Sequence, residues 1–189
     1  MRCAWCRGRD RLAKITISGH PGSGTSTLVK GLESALGWTS INGGDVFRGA
    51  AKDRNLSLSE FATLCKEDER VDRDLDARLQ SLIMEEGGPE IVESRLAGWW
   101  AYRTHSPCIR LWLEVEAKER ARRVVNREGG TLEEQLDRIM ERQQMDGARF
   151  KEMYQILPED PEPYSHRIEA STMDIDQVIQ SVLNLIEEA

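Results

Sequence analysis

Long apolar segments are missing from this sequence of 189 residues. No stretch approaches the roughly 20 consecutive apolar residues that a membrane-spanning helix requires. No apolar segment follows the early positive charges, so the sequence does not resemble a secretory signal peptide. We therefore expect a soluble, cytoplasmic protein that makes no contact with a membrane.

Cysteine is scarce, and positive charge is in the minority. The four cysteines, Cys3, Cys6, Cys65 and Cys108, are too scattered for the disulfide framework of a small secreted protein. Cys3 and Cys6 form a C-x-x-C pair without a second pair at zinc-ligand spacing, so we expect residues 1–13 to be a disordered extension. A metal or redox site is the alternative. The net charge of −7 argues against a protein that binds nucleic acid polymers through a basic surface.

Short apolar runs alternate with longer helical patterns along the rest of the chain. The runs predict strands at 14–18, 38–41, 90–93, 109–113 and 166–169. The periodic segments predict helices at 27–36, within 45–84, and at 116–126, 132–154 and 175–188. Strands that alternate with helices form parallel sheets covered on both faces, so we predict a single three-layer α/β/α domain over residues 14–189.

A glycine-rich stretch, GHPGSGTS, lies between the first predicted strand and the first predicted helix. This is the context of a Walker A loop, whose glycines let the backbone wrap a phosphate beside unpaired N–H groups of the helix. A turn that binds no ligand is the alternative. Ser26 occupies the position whose hydroxyl coordinates Mg²⁺. The predicted nucleotide-binding residues are Gly19, His20, Pro21, Gly22, Ser23, Gly24, Thr25, Ser26 and Thr27.

Thr25 departs from the Walker A motif, which has lysine at this position. The lysine normally brings a positive charge to the β- and γ-phosphates of the nucleotide. Threonine can donate a hydrogen bond but carries no charge, so the loss could cost orders of magnitude in the rate of phosphoryl transfer. Two outcomes stay open: neighbouring arginines compensate in part, or the protein binds nucleotide with little turnover.

Several motifs together resemble the archaeal-type cytidylate kinases, which belong to the adenylate-kinase-like nucleoside monophosphate kinases. The motifs are ITISGHPGSGTST, GGDVFRGAAKDRNLSLSEF with VDRDLDARL, IVESRLAGWW and RARRVVNREGG. The resemblance implies a P-loop kinase with a five-stranded parallel sheet, a helical acceptor-binding insertion at 45–86 and a short lid at 127–132. It also implies that the protein phosphorylates CMP or dCMP with ATP and Mg²⁺. A kinase for AMP or UMP is the nearest alternative.

The same resemblance assigns roles to residues outside the loop. Asp45 and Arg48 match a G-D-x-x-R element that binds the acceptor monophosphate, and Arg95 resembles a second arginine on that phosphate. Glu93 matches an acidic residue near the water shell of Mg²⁺, and it completes the predicted metal site with Ser26. The predicted catalytic residues, at the edge of the lid and on the long helix after it, are Arg123, Arg127, Arg142 and Arg149.

Phosphoryl transfer gives an independent reason to expect arginines in this protein. The reaction brings several negative oxygens together, and guanidinium groups suit that charge better than ammonium groups do. Arg142, Asp146 and Arg149 match an R-x-x-x-D-x-x-R element in which Gln143 replaces the usual second acid. Ion pairs on the surface of a helix are the alternative interpretation of these charges. We expect small-molecule substrates and a monomeric protein.

Overall fold

The computed structural model describes residues 12–189, and five parallel strands form its central sheet. They are β1 (Ile15–Gly19), β2 (Ser40–Asn42), β3 (Ile91–Glu93), β4 (Ile109–Glu114) and β5 (His166–Glu169). Their order across the sheet is β2-β3-β1-β4-β5, and each neighbouring pair is parallel. This sheet confirms the predicted fold class. Cys3 and Cys6 lie outside the described residues.

Helices connect the strands and cover both faces of the sheet. They are α1 (Thr25–Leu36), α2 (Gly43–Asp53), α3 (Leu58–Glu67), α4 (Glu69–Ile83), α5 (Ala97–Arg103), α6 (Ala117–Glu128), α7 (Leu132–Tyr154) and α8 (Ile175–Glu188). Within residues 12–189, no helix is long and apolar enough to cross a membrane. The sequence analysis missed α5, whose residues 97–101 are all buried, so it lacks the alternation of apolar and polar faces that marks a surface helix.

Two apolar clusters fill the spaces between the sheet and its helices. On one face Ile15 and Ile17 of β1 pack in a cluster with Leu28 of α1 and Val178 of α8. On the other face Trp100 of α5 belongs to a cluster that includes side chains from α4 and α7. Burial of apolar surface on both faces is what fixes the three layers.

Local capping interactions set where several helices begin. Ser57 and Glu60 are three residues apart in the sequence, which is the spacing of a capping box, and they form a complete one at the start of α3. Asn42 accepts a hydrogen bond from the N–H of Asp45 and so caps α2. Helices α2, α3 and α4 occupy the segment 45–86, whose role in acceptor binding stays a prediction.

The folded part of the chain includes Ala13, which is 4% exposed and donates its N–H to the carbonyl of Ile83.

At the predicted lid, Gly129 and Gly130 lie between α6 and α7 with φ values of 80° and 85°. These left-handed conformations favour glycine, and they allow a connection of only three residues, 129–131, between the two helices. The segment 127–132 is therefore a tight helix-to-helix turn, and its action as a lid stays a prediction.

Gly98 offers a test of the packing between α5 and the chain before β5. A Cβ atom at this position would lie 2.3 Å from Cε1 of Tyr164, which is 9% exposed and donates its hydroxyl to the carbonyl of Pro158. We expect Gly98→Ala to lower the free energy of unfolding by roughly 1–3 kcal/mol, measured by urea denaturation.

The control is Gly49→Ala in α2, where nothing lies within 4 Å of the added atom. We expect this control to be more stable than the wild type by roughly 0.5–1 kcal/mol, because alanine favours helix. If Gly98→Ala were as stable as the wild type, the packing described for α5 would be wrong.

Candidate functional site

The carboxyl ends of β1, β2 and β3 meet at one edge of the sheet. They end at Gly19, Asn42 and Glu93, and the last two are direct partners in the register of β2 and β3. Open parallel α/β sheets bind their ligands at this edge. The predicted phosphate loop begins there, directly after β1. The binding role of its residues stays a prediction.

The phosphate loop turns sharply between Gly19 and α1. Gly22 and Gly24 adopt φ values of 85° and 93°, which residues with a side chain rarely reach. The N–H and the hydroxyl of Ser23 both donate to the carbonyl of His20, at 3.1 and 2.7 Å. The loop leads directly into the N-terminus of α1, where unpaired N–H groups and the helix dipole favour an anion.

Three guanidinium groups donate to alternate carbonyl groups of this loop. The pairs are Arg95 with Gly19 at 3.2 Å, Arg120 with Pro21 at 3.0 Å, and Arg123 with Ser23 at 2.9 Å, each through Nη1. We call these three residues the carbonyl-side arginines. A carbonyl that accepts from a cation polarises its own peptide group, which makes the N–H of the next residue a stronger donor.

Thr25 lies inside the protein, at the start of α1. It is 6% exposed, and its hydroxyl donates to Oε1 of Glu93 at 2.8 Å. This hydrogen bond joins α1 to the end of β3. The residue in the lysine position therefore positions a carboxylate and adds no positive charge to the loop.

Glu93 and Ser26 fit a magnesium ion that keeps water and phosphate ligands. Glu93 is 8% exposed and makes no salt bridge within residues 12–189, whereas Ser26, which follows Thr25 in the first turn of α1, is exposed. Mg²⁺ prefers oxygen ligands and is usually held by one or two protein groups together with substrate phosphates. The described residues contain no cluster of three or more His, Cys, Asp or Glu side chains that could enclose a metal.

Helix α7 connects the phosphate loop to α4 through ion pairs. Asp146 accepts from Nε of Arg95 at 3.2 Å, and both side chains are 20% exposed. Arg149 donates to Asp72 of α4 at 2.7 Å and also lies 3.8 Å from Asp146. Asp146 and Arg149 belong to one motif in the sequence. Asp146 is thus linked to the phosphate loop through Arg95, and Arg149 contacts α4.

Comparison with known proteins identifies the family. The chain is 38% identical over 174 residues to the cytidylate kinase of Halobacterium salinarum, covering 92% of this chain and 88% of the relative. It is also 38% identical over 173 residues to the cytidylate kinase of Natronomonas pharaonis, covering 90% of this chain and 88% of the relative. The chain belongs to the archaeal cytidylate kinase family.

Two broader comparisons place this cytidylate kinase family member among related folds. A family model described as an AAA domain matches residues 15–155, so the chain belongs to that wider family as well. The structure of shikimate kinase from Bacteroides thetaiotaomicron aligns with a TM-score of 0.58 at 15% identity, covering 93% of this chain and 99% of that protein. That likeness shows a shared fold.

Three of the arginines that the cytidylate kinase motifs singled out lie on exposed surfaces. Arg48 pairs with Asp45 on α2 at 2.6 Å, and Arg127 pairs with its neighbour Glu128 at the end of α6. Arg142 is exposed on α7 and makes no hydrogen bond or ion pair in the part of the chain that the structure describes. None of the three donates a hydrogen bond to the phosphate loop among the described residues, and their roles stay predictions.

Arg120 is the site residue that the sequence analysis missed. It is 3% exposed, and it donates to the carbonyl of Val115 at 3.1 Å and to Oε1 of Gln143 at 2.9 Å, besides its bond to the loop. The available signal was its position three residues before Arg123, which places both residues on one face of α6.

His20 is held neutral inside the loop. Its ring packs edge-on against Trp112, with 5.0 Å between ring centroids. Burial, and after it the nearby guanidinium groups of Arg120 and Arg95, lower the pKa of His20 to about 4. Because the imidazole is neutral, the positive charge beside the loop comes from the arginines.

The low pKa of His20 predicts a specific dependence of stability on pH. The folded protein binds the imidazole proton near pH 4, whereas the unfolded chain binds it near 6.5. The unfolded state therefore binds more protons between these values, so stability is complete above about pH 6.5 and falls as the pH decreases toward 4.

An NMR titration of the histidine C–H signals measures this pKa, and His20→Gln assigns the signal. In urea denaturation, His20→Gln should also lose the part of the pH dependence of the unfolding free energy that His20 causes. A His20 midpoint near 6.5 would contradict the described environment.

Proposed function

We propose that this protein transfers the γ-phosphoryl group of ATP to CMP or dCMP, giving the diphosphate and ADP. The observation that carries the proposal is the glycine loop at the end of β1, which wraps the N-terminus of α1 and has three cations on its carbonyl side. The acceptor is inferred from the relatives, which are cytidylate kinases that align with 90–92% of this chain.

The phosphate loop and α1 would bind the ATP phosphates. Their N–H groups suit the oxygens of the β- and γ-phosphates, and the helix dipole adds to the attraction. Ser26 and Glu93 would hold Mg²⁺, which when bound neutralises charge on the transferring phosphoryl group. Thr25 contributes by holding the Glu93 carboxylate in place.

The acceptor nucleotide would lie between the loop and helices α2 to α4. Arg48 and Arg142 are exposed, so they could meet a phosphate without breaking a buried contact. Arg95 and Arg149 also face this region, where Asp146 and Asp72 hold them in fixed positions. No side chain needs to act as a nucleophile, because an oxygen of the acceptor phosphate attacks the γ-phosphorus.

The turn between α6 and α7 would act as the lid over the donor. Gly129 and Gly130 give it a sharp, adaptable backbone, and Arg127 lies at its edge. Closure of such a turn excludes water, which would otherwise accept the phosphoryl group and hydrolyse ATP.

A nucleotide-binding protein with little turnover is the second candidate function. It is favoured by the hydrogen bond that the Thr25 hydroxyl donates to Glu93.

A coupled assay for ADP formation, run with Mg²⁺-ATP against CMP, dCMP, UMP, AMP and GMP, separates these functions. We expect the wild type to phosphorylate CMP and dCMP best. Thr25→Lys, assayed beside it, reports how far the uncharged loop limits the rate. We expect Arg142→Met to lower kcat/KM for CMP by roughly a hundredfold or more, since a guanidinium on a transferring phosphoryl group contributes at least that much.

The matched control is Arg122→Met on α6, whose arginine is 60% exposed, pairs with Glu119 and donates no hydrogen bond to the loop. We expect its kcat/KM to stay within about twofold of the wild type, as for other exposed ion pairs. Preference for AMP or UMP would replace the proposed acceptor. Tight nucleotide binding without product on any acceptor would favour the second candidate.

A further inference from the structure

The carbonyl-side arginines differ in how their charge is balanced. Arg95 is 3.2 Å from Asp146, and Arg123 is 3.2 Å from Glu119. Arg120 has no such partner: no carboxylate lies within 4 Å of its guanidinium in residues 12–189. It is also the most buried of the three.

Every hydrogen-bond acceptor of Arg120 is neutral. Two are the carbonyl groups of Val115 and Pro21, the third is the side-chain amide of Gln143, and the fourth is the thioether sulfur of Met140, 4.0 Å from Nη2. A buried charge is costly when no opposite charge balances it. An anion bound on the other side of the loop would balance the positive charge of Arg120. The unbalanced charge therefore points to a role in ligand binding.

We propose that Arg120 is a positioning residue that supplies, from the carbonyl side of the phosphate loop, the positive charge that Thr25 does not. Gln143 contributes to this role, because its neutral amide accepts a hydrogen bond from the guanidinium without neutralising its charge. The ligand affected is the polyphosphate of the donor nucleotide. The inference rests on the proposed binding of ATP at this loop.

The charge reaches the ligand through the peptide between Pro21 and Gly22. Nη1 of Arg120 donates to the Pro21 carbonyl at 3.0 Å, and the same peptide carries the N–H of Gly22. Polarisation of that peptide strengthens the N–H as a donor toward phosphate, and the fixed charge adds an attraction that acts through the buried loop. The lowered pKa of His20, caused first by burial and then by Arg120, is consistent with a charge that acts on the loop.

Gln143→Glu tests the charge without removing the guanidinium. The two side chains have nearly the same shape, and the new carboxylate can still accept from Arg120. Substitution of Arg120 itself would leave buried carbonyl groups without donors and could unfold the protein. The matched control is Gln144→Glu, which adds the same charge at the next, exposed position of α7.

Calorimetric titration of the full chain with ATP, ADP and AMP, at fixed Mg²⁺ and ionic strength, gives the readout. We expect Gln143→Glu to weaken ATP binding by roughly tenfold, ADP binding less and AMP binding least, because the effect follows the phosphate charge. Gln144→Glu should stay within about twofold of the wild type. Thr25→Lys in the Gln143→Glu background should recover ATP affinity, and the pKa of His20 should rise in Gln143→Glu.

Equal loss of affinity for all three nucleotides would indicate a structural role for Gln143 and overturn the inference. Unchanged ATP affinity in Gln143→Glu would overturn it as well. Either result leaves the proposed phosphoryl transfer intact, because the acceptor assay decides that separately. Failure of the wild type to bind ATP at all would overturn both.

Discussion

The phosphate loop is held in shape by hydrogen bonds from guanidinium groups to its own carbonyl oxygens. Arg95 comes from the turn after β3, whereas Arg120 and Arg123 come from α6. The loop's conformation therefore depends on how β3 and α6 are placed against β1. Because the carbonyl groups face cations, the opposite side of the backbone presents N–H groups, which is the side that a phosphate requires.

Helix α7 links this loop to the rest of the candidate site. Gln143 contacts Arg120, Asp146 contacts Arg95, and Arg149 contacts Asp72 of α4. These three positions are spaced by three residues, so they follow one face of the helix. One helix thus connects the loop proposed to bind the donor with the helices proposed to bind the acceptor. A movement of α7 would therefore change the contacts of both.

The sequence predicted what depends on local patterns. The five strands, the phosphate loop and the capping box at Ser57 follow from periodicity and from short-range spacing. It did not predict α5, which is buried on all sides, nor the burial of Arg120, which depends on how α6 packs against the loop. The hydrogen bond between Thr25 and Glu93 could not be predicted from the sequence either. Glu93 lies 68 residues away, and only the pairing of β1 with β3 brings it close.

Nuclear magnetic resonance of the phosphate-loop amides tests the central claim most directly, namely that a loop without lysine binds phosphate through N–H groups supported by arginines. The measurement is a ¹H–¹⁵N titration of the full chain with Mg²⁺-ATP. The account predicts that the amide protons of Gly22 and Gly24 move downfield more than those elsewhere in the chain. Saturation with ATP that leaves these amides unshifted, while resonances elsewhere move, would contradict it.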